Sequence, residues 1–175
     1  MGSRIAWALA ATLVLASTTH ATPNAYFVTA AGSLVVVDTA TNAVTASIPV
    51  AANPYSAIVN ATGSRLYTWT PDPGQGKITV VDVATSSVVA AITIAIPYSN
   101  HGIAVHPSGS PVYFNDGVNV TLIDATTNLV PGTVPLGKNA SHVDGVAVTP
   151  DGARVYAATT GNPIPGMIRQ AAMDP

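Results

Sequence analysis

The chain has 175 residues, a formal net charge of −2 and charged side chains at only 8% of its positions. No basic stripe is present for a nucleic-acid backbone, so DNA or RNA binding is not expected. The sequence has no cysteine, which excludes disulfides, cysteine-ligated metals and covalent haem attachment. It also has no glutamate, so the eight aspartates are its only side-chain carboxylates.

Residues 1–21 have the three-part pattern of a secretory signal peptide. Arg4 precedes an apolar run at 5–16, and small residues, Thr19 and Ala21, suit the −3 and −1 cleavage positions. The run is shorter than the roughly 20 residues that cross a bilayer. We predict cleavage after Ala21, no membrane span in the mature chain, and a secreted or periplasmic location that includes the cell surface; a retained N-terminal anchor is the alternative.

The rest of the chain contains a repeated sequence motif. It consists of a short apolar strand, a tight turn and a second strand that carries a tyrosine. The motif is clearest at 145–156, recurs at 102–113 and is weaker at 57–67. Residues 150–152, Pro-Asp-Gly, favour a hairpin turn because proline fixes φ, aspartate bonds its own backbone and glycine accepts positive φ. His106 stands where the last copy has Thr149, which makes it a turn residue rather than a ligand.

The repeat has a period in the low forties. Tyrosines recur at intervals of 41 to 46 residues, at Tyr26, Tyr67, Tyr113 and Tyr156. Aspartates that end the following strand recur at intervals of 44 and 42 residues, at Asp38, Asp82 and Asp124. A period of this length built only of strands is typical of four-stranded propeller blades. We therefore predict an all-β, β-propeller-like array of four-stranded antiparallel blades.

Each unit has four predicted strands, numbered here from the inside of the array outward. The third strand, as at 78–82, is apolar on both faces, as expected for a sheet packed between two others. Pro131 lies within the fourth strand predicted at 129–136, and proline is confined to sheet edges because it cannot donate to a ladder. The fourth strand should therefore be outermost.

Two phrases resemble the YVTN-type β-propeller repeat. They are Val-Val-Val-Asp-Thr-Ala-Thr-Asn-Ala-Val at 35–44 and Val-Thr-Pro-Asp-Gly-Ala-Arg-Val-Tyr at 148–156. The resemblance covers 25 to about 160, and it implies an exported or cell-surface propeller, typically with seven blades. It is specific for the fold and poor for the function.

The units do not add up to such a ring. Thirteen predicted strands make about three blades plus a partial one over residues 22–161, and propellers need roughly four to eight blades. Residues 162–175 match no strand of the repeat, so we expect an irregular tail. Two explanations stay open, a truncated reading of a longer propeller gene or two chains that associate through the open blade faces.

Candidate binding residues come from the variable loops that precede the first strand of each unit, because variable loops on a repetitive scaffold usually carry binding. They are Tyr55, Asn100, His101, His142 and Asp144. We interpret Ser56, His101 and Asp144 as equivalent positions at the mouth of the central channel. His101, His142 and Asp144 could hold a divalent ion. The alternative to an ion site is that these are solvated polar groups of the loops, and we therefore predict no metal and no cofactor.

Other recurring residues have structural explanations. Asp38, Asp82 and Asp124 are interpreted as turn-bonding residues rather than ligands around a ring, since they recur at one structural position. Trp69 is interpreted as packing between blades rather than as a stacking platform for a sugar or peptide.

The function predicted is a non-catalytic binding or interaction module with an unknown protein or small-molecule ligand. No nucleophile elbow, His-Glu-x-x-His motif or P-loop is present. The alternative is a propeller-type enzyme or subunit with a site at the channel mouth. The resemblance extends to lactonases and to the β-chains of quinoprotein dehydrogenases.

Overall fold

Fourteen β-strands in four antiparallel sheets make up the part of the chain that the computed structural model describes. The described residues are 24–72, 74–95, 102–136, 142–160 and 167–171, with side chains described in all of these except 142–144, 159–160 and 167–171. These ranges contain no helix, and accordingly none that is long and apolar enough to cross a membrane. The predicted all-β class is confirmed. The predicted signal peptide lies outside the described residues.

Each sheet is a meander of consecutive strands. The first sheet has the order β1-β2-β3, with β1 at Asn24–Thr29, β2 at Ser33–Asp38 and β3 at Ala43–Pro49. The second has the order β4-β5-β6-β7, at Ser56–Val59, Arg65–Asp72, Gln75–Asp82 and Ser87–Ala95. The third has the order β8-β9-β10-β11, at Ile103–Val105, Val112–Asn115, Asn119–Ile123 and Gly132–Pro135. The fourth has the order β12-β13-β14, at His142–Val148, Val155–Thr160 and Met167–Ala171.

The predicted strand order is confirmed in the second and third sheets, where the fourth strand of each unit lies at an edge. β11 begins at Gly132, after Pro131, and so is shorter than the segment predicted at 129–136. Proline lacks the N–H that would extend the pairing with β10. β12 instead begins three residues earlier than its apolar phrase, at His142.

The C-terminal strand corrects the expectation of an irregular tail at 162–175. β14 pairs antiparallel with β13, from Val155 opposite Ala171 to Thr159 opposite Met167. It occupies the place of the third strand of the fourth unit, although its sequence lacks the β-branched run and the terminal aspartate of the other third strands. β14 is placed by backbone hydrogen bonding to the open edge of β13. Such pairing cannot be predicted from the pattern of apolar residues in the sequence of β14.

Three hydrophobic clusters lie between successive sheets, so the sheets stack in chain order. Between the first and second sheets lie Leu34, Val36, Ile48, Leu66 and Val81. Between the second and third lie Tyr67, Trp69, Ile78, Val80, Ile92, Ile94, Val112, Phe114 and Ile123. Between the third and fourth lie Tyr113, Val120, Leu136, Val155 and Ala157. Successive side chains of a strand point to opposite faces, which is why Leu66 and its neighbour Tyr67 belong to different clusters.

The first strands of the units converge. β8 lies against both β4 and β12. The approach is closest at Gly102, just before β8, where an added Cβ would lie 2.6 Å from the amide nitrogen of Val146 and 2.9 Å from the Cα of Gly145. Glycine is needed at this position because the backbone of β12 passes where a side chain would stand. The ends of these inner strands are therefore neighbours.

Candidate functional site

The predicted binding residues lie just before the inner strands in sequence or at the start of one, and the structure describes some of them. Tyr55 lies directly before β4; its side chain is 66% exposed, and its backbone N–H donates to the carbonyl of Trp69 at 2.7 Å. Asn100 and His101 lie outside the described residues. His142 and Asp144 both lie in β12, where only their backbone is described.

Strand register corrects one predicted equivalence. Ile58 is opposite Tyr67, Ala104 is opposite Tyr113 and Ala147 is opposite Tyr156. Counting back from these pairs, the residue equivalent to His101 and Asp144 is Tyr55, and Ser56 is equivalent to Gly102 and Gly145. The predicted equivalence of Ser56 was therefore wrong by one residue, and a one-residue shift moves a side chain to the opposite face of its sheet.

Ser56 is consequently half-buried, on an inward face of its sheet. It is opposite Trp69 and shares the face of β4 that packs toward the third sheet. Its Oγ atom is buried and has no hydrogen-bond partner among the described residues. Tyr55 takes its place as the described side chain that reaches solvent at this end of the inner strands.

No metal centre is present within the described ranges, in which no group of three or more His, Cys, Asp or Glu side chains lies close enough to hold an ion. The trio considered from the sequence, His101, His142 and Asp144, falls outside the described side chains and stays a prediction. β12 does carry His142 and Asp144 two residues apart at the end where the inner strands meet.

Asp116 is a buried carboxylate at the same end of the third sheet, in the turn between β9 and β10. Its Oδ1 accepts from the backbone N–H groups of Val118 at 3.0 Å and Asn119 at 2.7 Å, and its Oδ2 accepts from the hydroxyl of Thr121 at 3.1 Å. The side-chain amide of Asn119 donates to both oxygens, at 3.2 and 3.0 Å. Both oxygens are occupied, so this carboxylate orders the turn. Sequence reasoning did not identify it, although its Asn-Asp-Gly context is a turn signal.

At the opposite end of the sheets, the recurring aspartates bond the turns that follow them, as predicted. Asp38 accepts from the N–H groups of Ala40 at 2.7 Å and Thr41 at 3.1 Å. Asp124 accepts from Thr126 at 2.7 Å and Thr127 at 3.0 Å, and these bonds lower the pKa of its carboxyl, with Thr127 the larger cause. Carboxylates held in this way are structural.

Asp82 makes the same kind of turn bond and also an ion pair. Its Oδ1 accepts from the N–H of Thr85 at 2.9 Å, and Oδ2 pairs with the guanidinium of Arg65. The pKa of Asp82 is lowered, first by the Thr85 N–H and then by Arg65. Arg65 is directly opposite Asp82 across β5 and β6, so the arginine two residues before the repeat tyrosine was a signal for this pair.

A shallow groove of about 490 Å³ runs beside this ion pair between the turns of the second and third sheets. Its lining is polar and includes Asn60, Ser64, Arg65, Asp82, Ser108 and Ser110. Asn60 is already committed to its own turn, because its Oδ1 accepts from the N–H groups of Ser64 at 2.9 Å and Arg65 at 3.1 Å. The groove is therefore walled by side chains that hold turns.

His106 is a turn residue, as predicted. Its Nδ1 accepts from the backbone N–H of Ser108 at 3.1 Å and contacts the Ser108 hydroxyl at 2.6 Å. The imidazole also lies over Gly152 of the next unit, where an added Cβ would overlap with it.

Trp69 is part of the core, which confirms the packing interpretation. The side chain is 1% exposed, and the centroid of its ring lies 4.4 Å from that of Phe114. Gly76 has no side chain and so leaves the space on β6 that the indole occupies. It cannot act as a stacking platform for a ligand.

No known family model and no curated protein matches the chain. Among solved structures, the chain is similar to Kuenenia stuttgartiensis hydrazine synthase, with a TM-score of 0.66 and 21% identity over 76% of this chain and 37% of that one. The fold is propeller-like. The chain spans little more than a third of that relative's length, and identity at this level shows the fold alone. Membership of the YVTN-type family, with no matching model, remains a hypothesis.

Proposed function

We propose that this chain is an exported, non-catalytic propeller repeat protein of the YVTN type that binds a protein or small-molecule ligand in the periplasm or outside the cell, including at the cell surface. The observation that supports a binding site most directly is the close approach of β8 and β12 at Gly102. Because the inner strands meet there, the starts of β4, β8 and β12 lie at one end of the scaffold, and residues that lead into scaffold strands commonly carry binding.

Tyr55 is the proposed anchor of this site. Its side chain is exposed, while its backbone is fixed by the hydrogen bond to Trp69, which is itself held in the core. An exposed tyrosine on a fixed backbone offers a large contact area with little entropy to lose on binding, and tyrosines are enriched among binding hot spots. Asn100, His101, His142 and Asp144 would supply polar contacts around it.

The array itself is proposed to be an incomplete ring of about three blades and a partial one. In support, the outer faces of the first and fourth sheets expose Phe27 and Ala158, which lie at positions equivalent to the buried Phe114 and Trp69. A complete ring of blades would leave no such faces uncovered.

A peptide-display library selected against the purified chain tests the proposed site. Replacing Tyr55 by Ala should weaken the selected peptides by about 30-fold, which corresponds to a loss of about 2 kcal/mol at a hot spot. Leu129→Ala removes a large apolar side chain of matching exposure, 67%, from another part of the surface and serves as the control, measured by the same titration. Equal binding by the wild type and the Tyr55→Ala variant would reject the proposed site.

The second candidate is an enzyme or enzyme subunit of the lactonase or quinoprotein dehydrogenase β-chain type. The observation in its favour is that β12 brings an imidazole-bearing and a carboxylate-bearing residue, His142 and Asp144, to the end where the inner strands meet. Elemental analysis of the purified chain separates the candidates. Calcium or zinc retained at one ion per chain, and lost in a His142→Ala variant, would favour the enzyme.

A further inference from the structure

The sheet–sheet interfaces of this chain follow one rule. In the first three sheets, the tyrosine of the second strand faces the following sheet, where it meets the residue that precedes the next tyrosine. Tyr26 packs in the cluster of Leu66, and Tyr113 packs in the cluster of Val155. Tyr67 likewise shares a cluster with Val112. The residue before the third-strand aspartate joins the same interfaces, as Val81 and Ile123 do.

Between the second and third sheets, the residue two positions after Tyr67 also meets the residue one position after Tyr113. In the interface between the second and third sheets these are Trp69 and Phe114, whose rings are 4.4 Å apart. This contact fills the inner part of that interface.

The fourth sheet presents the first half of this interface, and no described part of the chain covers it. Tyr156 is only half-buried, whereas its equivalents Tyr67 and Tyr113 are at most 3% exposed. Ala147 and Ala158 lie on the same face and are exposed, although the position equivalent to Ala158 in the second sheet is the buried Trp69.

The first sheet presents the second half. Phe27 is 56% exposed, whereas the equivalent Phe114 is fully buried. Ala25 and Val37, equivalent to the buried Leu66 and Val81, are half-buried on the same face. Hydrophobic side chains at positions that are core elsewhere in the same chain indicate an interaction face.

We propose that two copies of this chain pack head to tail, with the fourth sheet of one copy against the first sheet of the other. The occupant is a second copy because the two uncovered faces are the two halves of an interface that the chain already forms three times between its own sheets. Tyr156 would meet Ala25 and Val37 of the second copy, as Tyr26 meets Leu66 and Val81. Phe27 of the second copy would lie against Ala158, where the small alanine leaves room for the ring.

Such an interface joins two different faces, so it must close to avoid a filament. Two copies related by a two-fold axis form the interface twice and close a ring with twice the four sheets of one chain, within the four to eight blades of known propellers. The five side chains named in this contact, those of Ala25, Phe27, Val37, Tyr156 and Ala158, are uncharged.

Sedimentation velocity of the purified chain over a range of concentrations tests the proposal. The wild type should sediment with twice the mass of one chain. Phe27→Asp and Ala158→Asp should each raise the dimer dissociation constant by on the order of 100-fold, because each places a carboxylate in both interfaces. Val88→Asp is the matched control, since Val88 is 43% exposed on an edge strand of an internal sheet; this variant should remain dimeric.

Mixing separates the head-to-tail mode from other dimers. A mixture of the two dimerisation variants retains one interface between unaltered faces, so it should recover a dimer that neither variant forms alone. A dimer in which the same face meets itself would leave at least one variant dimeric, and this outcome would overturn the proposal. A wild type that stays monomeric at every concentration would also overturn it.

Crosslinking gives a second measurement that does not depend on how the charged variants fold. The chain has no cysteine, so single cysteines can be placed without competing thiols. A mixture of Phe27→Cys and Ala158→Cys chains should form a covalent dimer with a short bismaleimide, while each variant alone should not. Absence of the crosslink in the mixture would contradict the predicted contact.

Discussion

Aspartate at the end of the third strand and tyrosine in the second strand recur in this chain for different physical reasons. The aspartates accept backbone N–H bonds in the following turn, and the residues at the end of those turns, Asn42, Ser86 and Asn128, have positive φ. The tyrosines are packing residues. Burial raises the pKa of the Tyr67 and Tyr113 phenols, so both stay protonated between the sheets. Both recurring residues therefore have structural explanations.

The turn aspartates should make the stability of the protein depend on pH in the acid range. Hydrogen bonds hold the pKa of Asp82, Asp124 and Asp151 below the usual 3.8, first from Thr85, Thr127 and Thr149 respectively. A lowered folded pKa stabilises the protein above the unfolded value, and that contribution is lost as the pH falls through the folded pKa. The free energy of unfolding should therefore decrease below about pH 4.

Urea unfolding at a series of pH values checks this prediction. A variant with Asn at all three aspartate positions keeps good turn residues but cannot titrate, so its stability should fall less steeply below pH 4 than that of the wild type. Identical slopes in the two proteins would assign the acid sensitivity to other groups.

The sheets are held together face to face, and the inner strands are held together by backbone contact. The central strands of the second and third sheets divide their side chains between two clusters, as Leu66 and Tyr67 do, so neither sheet has a core of its own. At the inner end the packing is so close that only glycine fits at position 102. Stability at this level belongs to pairs of sheets.

Gly102→Ala should therefore separate the third and fourth sheets locally. Its Cβ would lie within 2.9 Å of the β12 backbone at Gly145, which cannot move aside as a flexible side chain can. We expect a loss of about 1–3 kcal/mol in the free energy of unfolding, the usual effect of overpacking. Gly132→Ala is the control, because a Cβ there meets nothing within 4 Å and its backbone has no positive φ. A similar loss in both variants would contradict the backbone-contact explanation.

At the scale of the molecule, the sheets that the structure describes leave two unlike faces uncovered and bring the inner strand ends together. The uncovered faces support the proposed pairing of two copies, and the neighbouring starts of the inner strands support the proposed binding site. The two proposals concern different surfaces, since Tyr55 belongs to the loops and Phe27 to the outer face of the first sheet.

Export is a separate prediction about the whole chain. Expressed in a bacterium with its natural N-terminus, the protein should appear in the periplasm or medium with a mass that begins at Thr22. Ala21→Trp should block processing and retain residues 1–21, because the cleavage site needs small residues. Cell fractionation and intact-mass measurement decide the result. A wild type that stays unprocessed in the cytoplasm would contradict the signal peptide.

Most of the strands, the turns and the all-β class followed from local patterns. Alternating apolar residues, a Pro-Asp-Gly turn and the period of the tyrosines act over a few neighbouring residues or repeat along the chain, so they can be read without knowing the packing. The same patterns led to the edge position of the fourth strand and to the turn function of Asp38, Asp82 and Asp124.

Other features depended on contacts between distant segments. β14 exists because β13 offers it an edge, and its residues have no strand pattern of their own. The equivalence of Tyr55 with His101 and Asp144 depended on strand register, which a loop sequence does not encode. Whether an apolar residue is buried or exposed depended on the presence of a neighbouring sheet against its face. Phe114 has such a neighbour and is buried, whereas the equivalent Phe27 is exposed. Local sequence specifies a sheet, and the presence of a neighbouring sheet then decides which of its faces is buried.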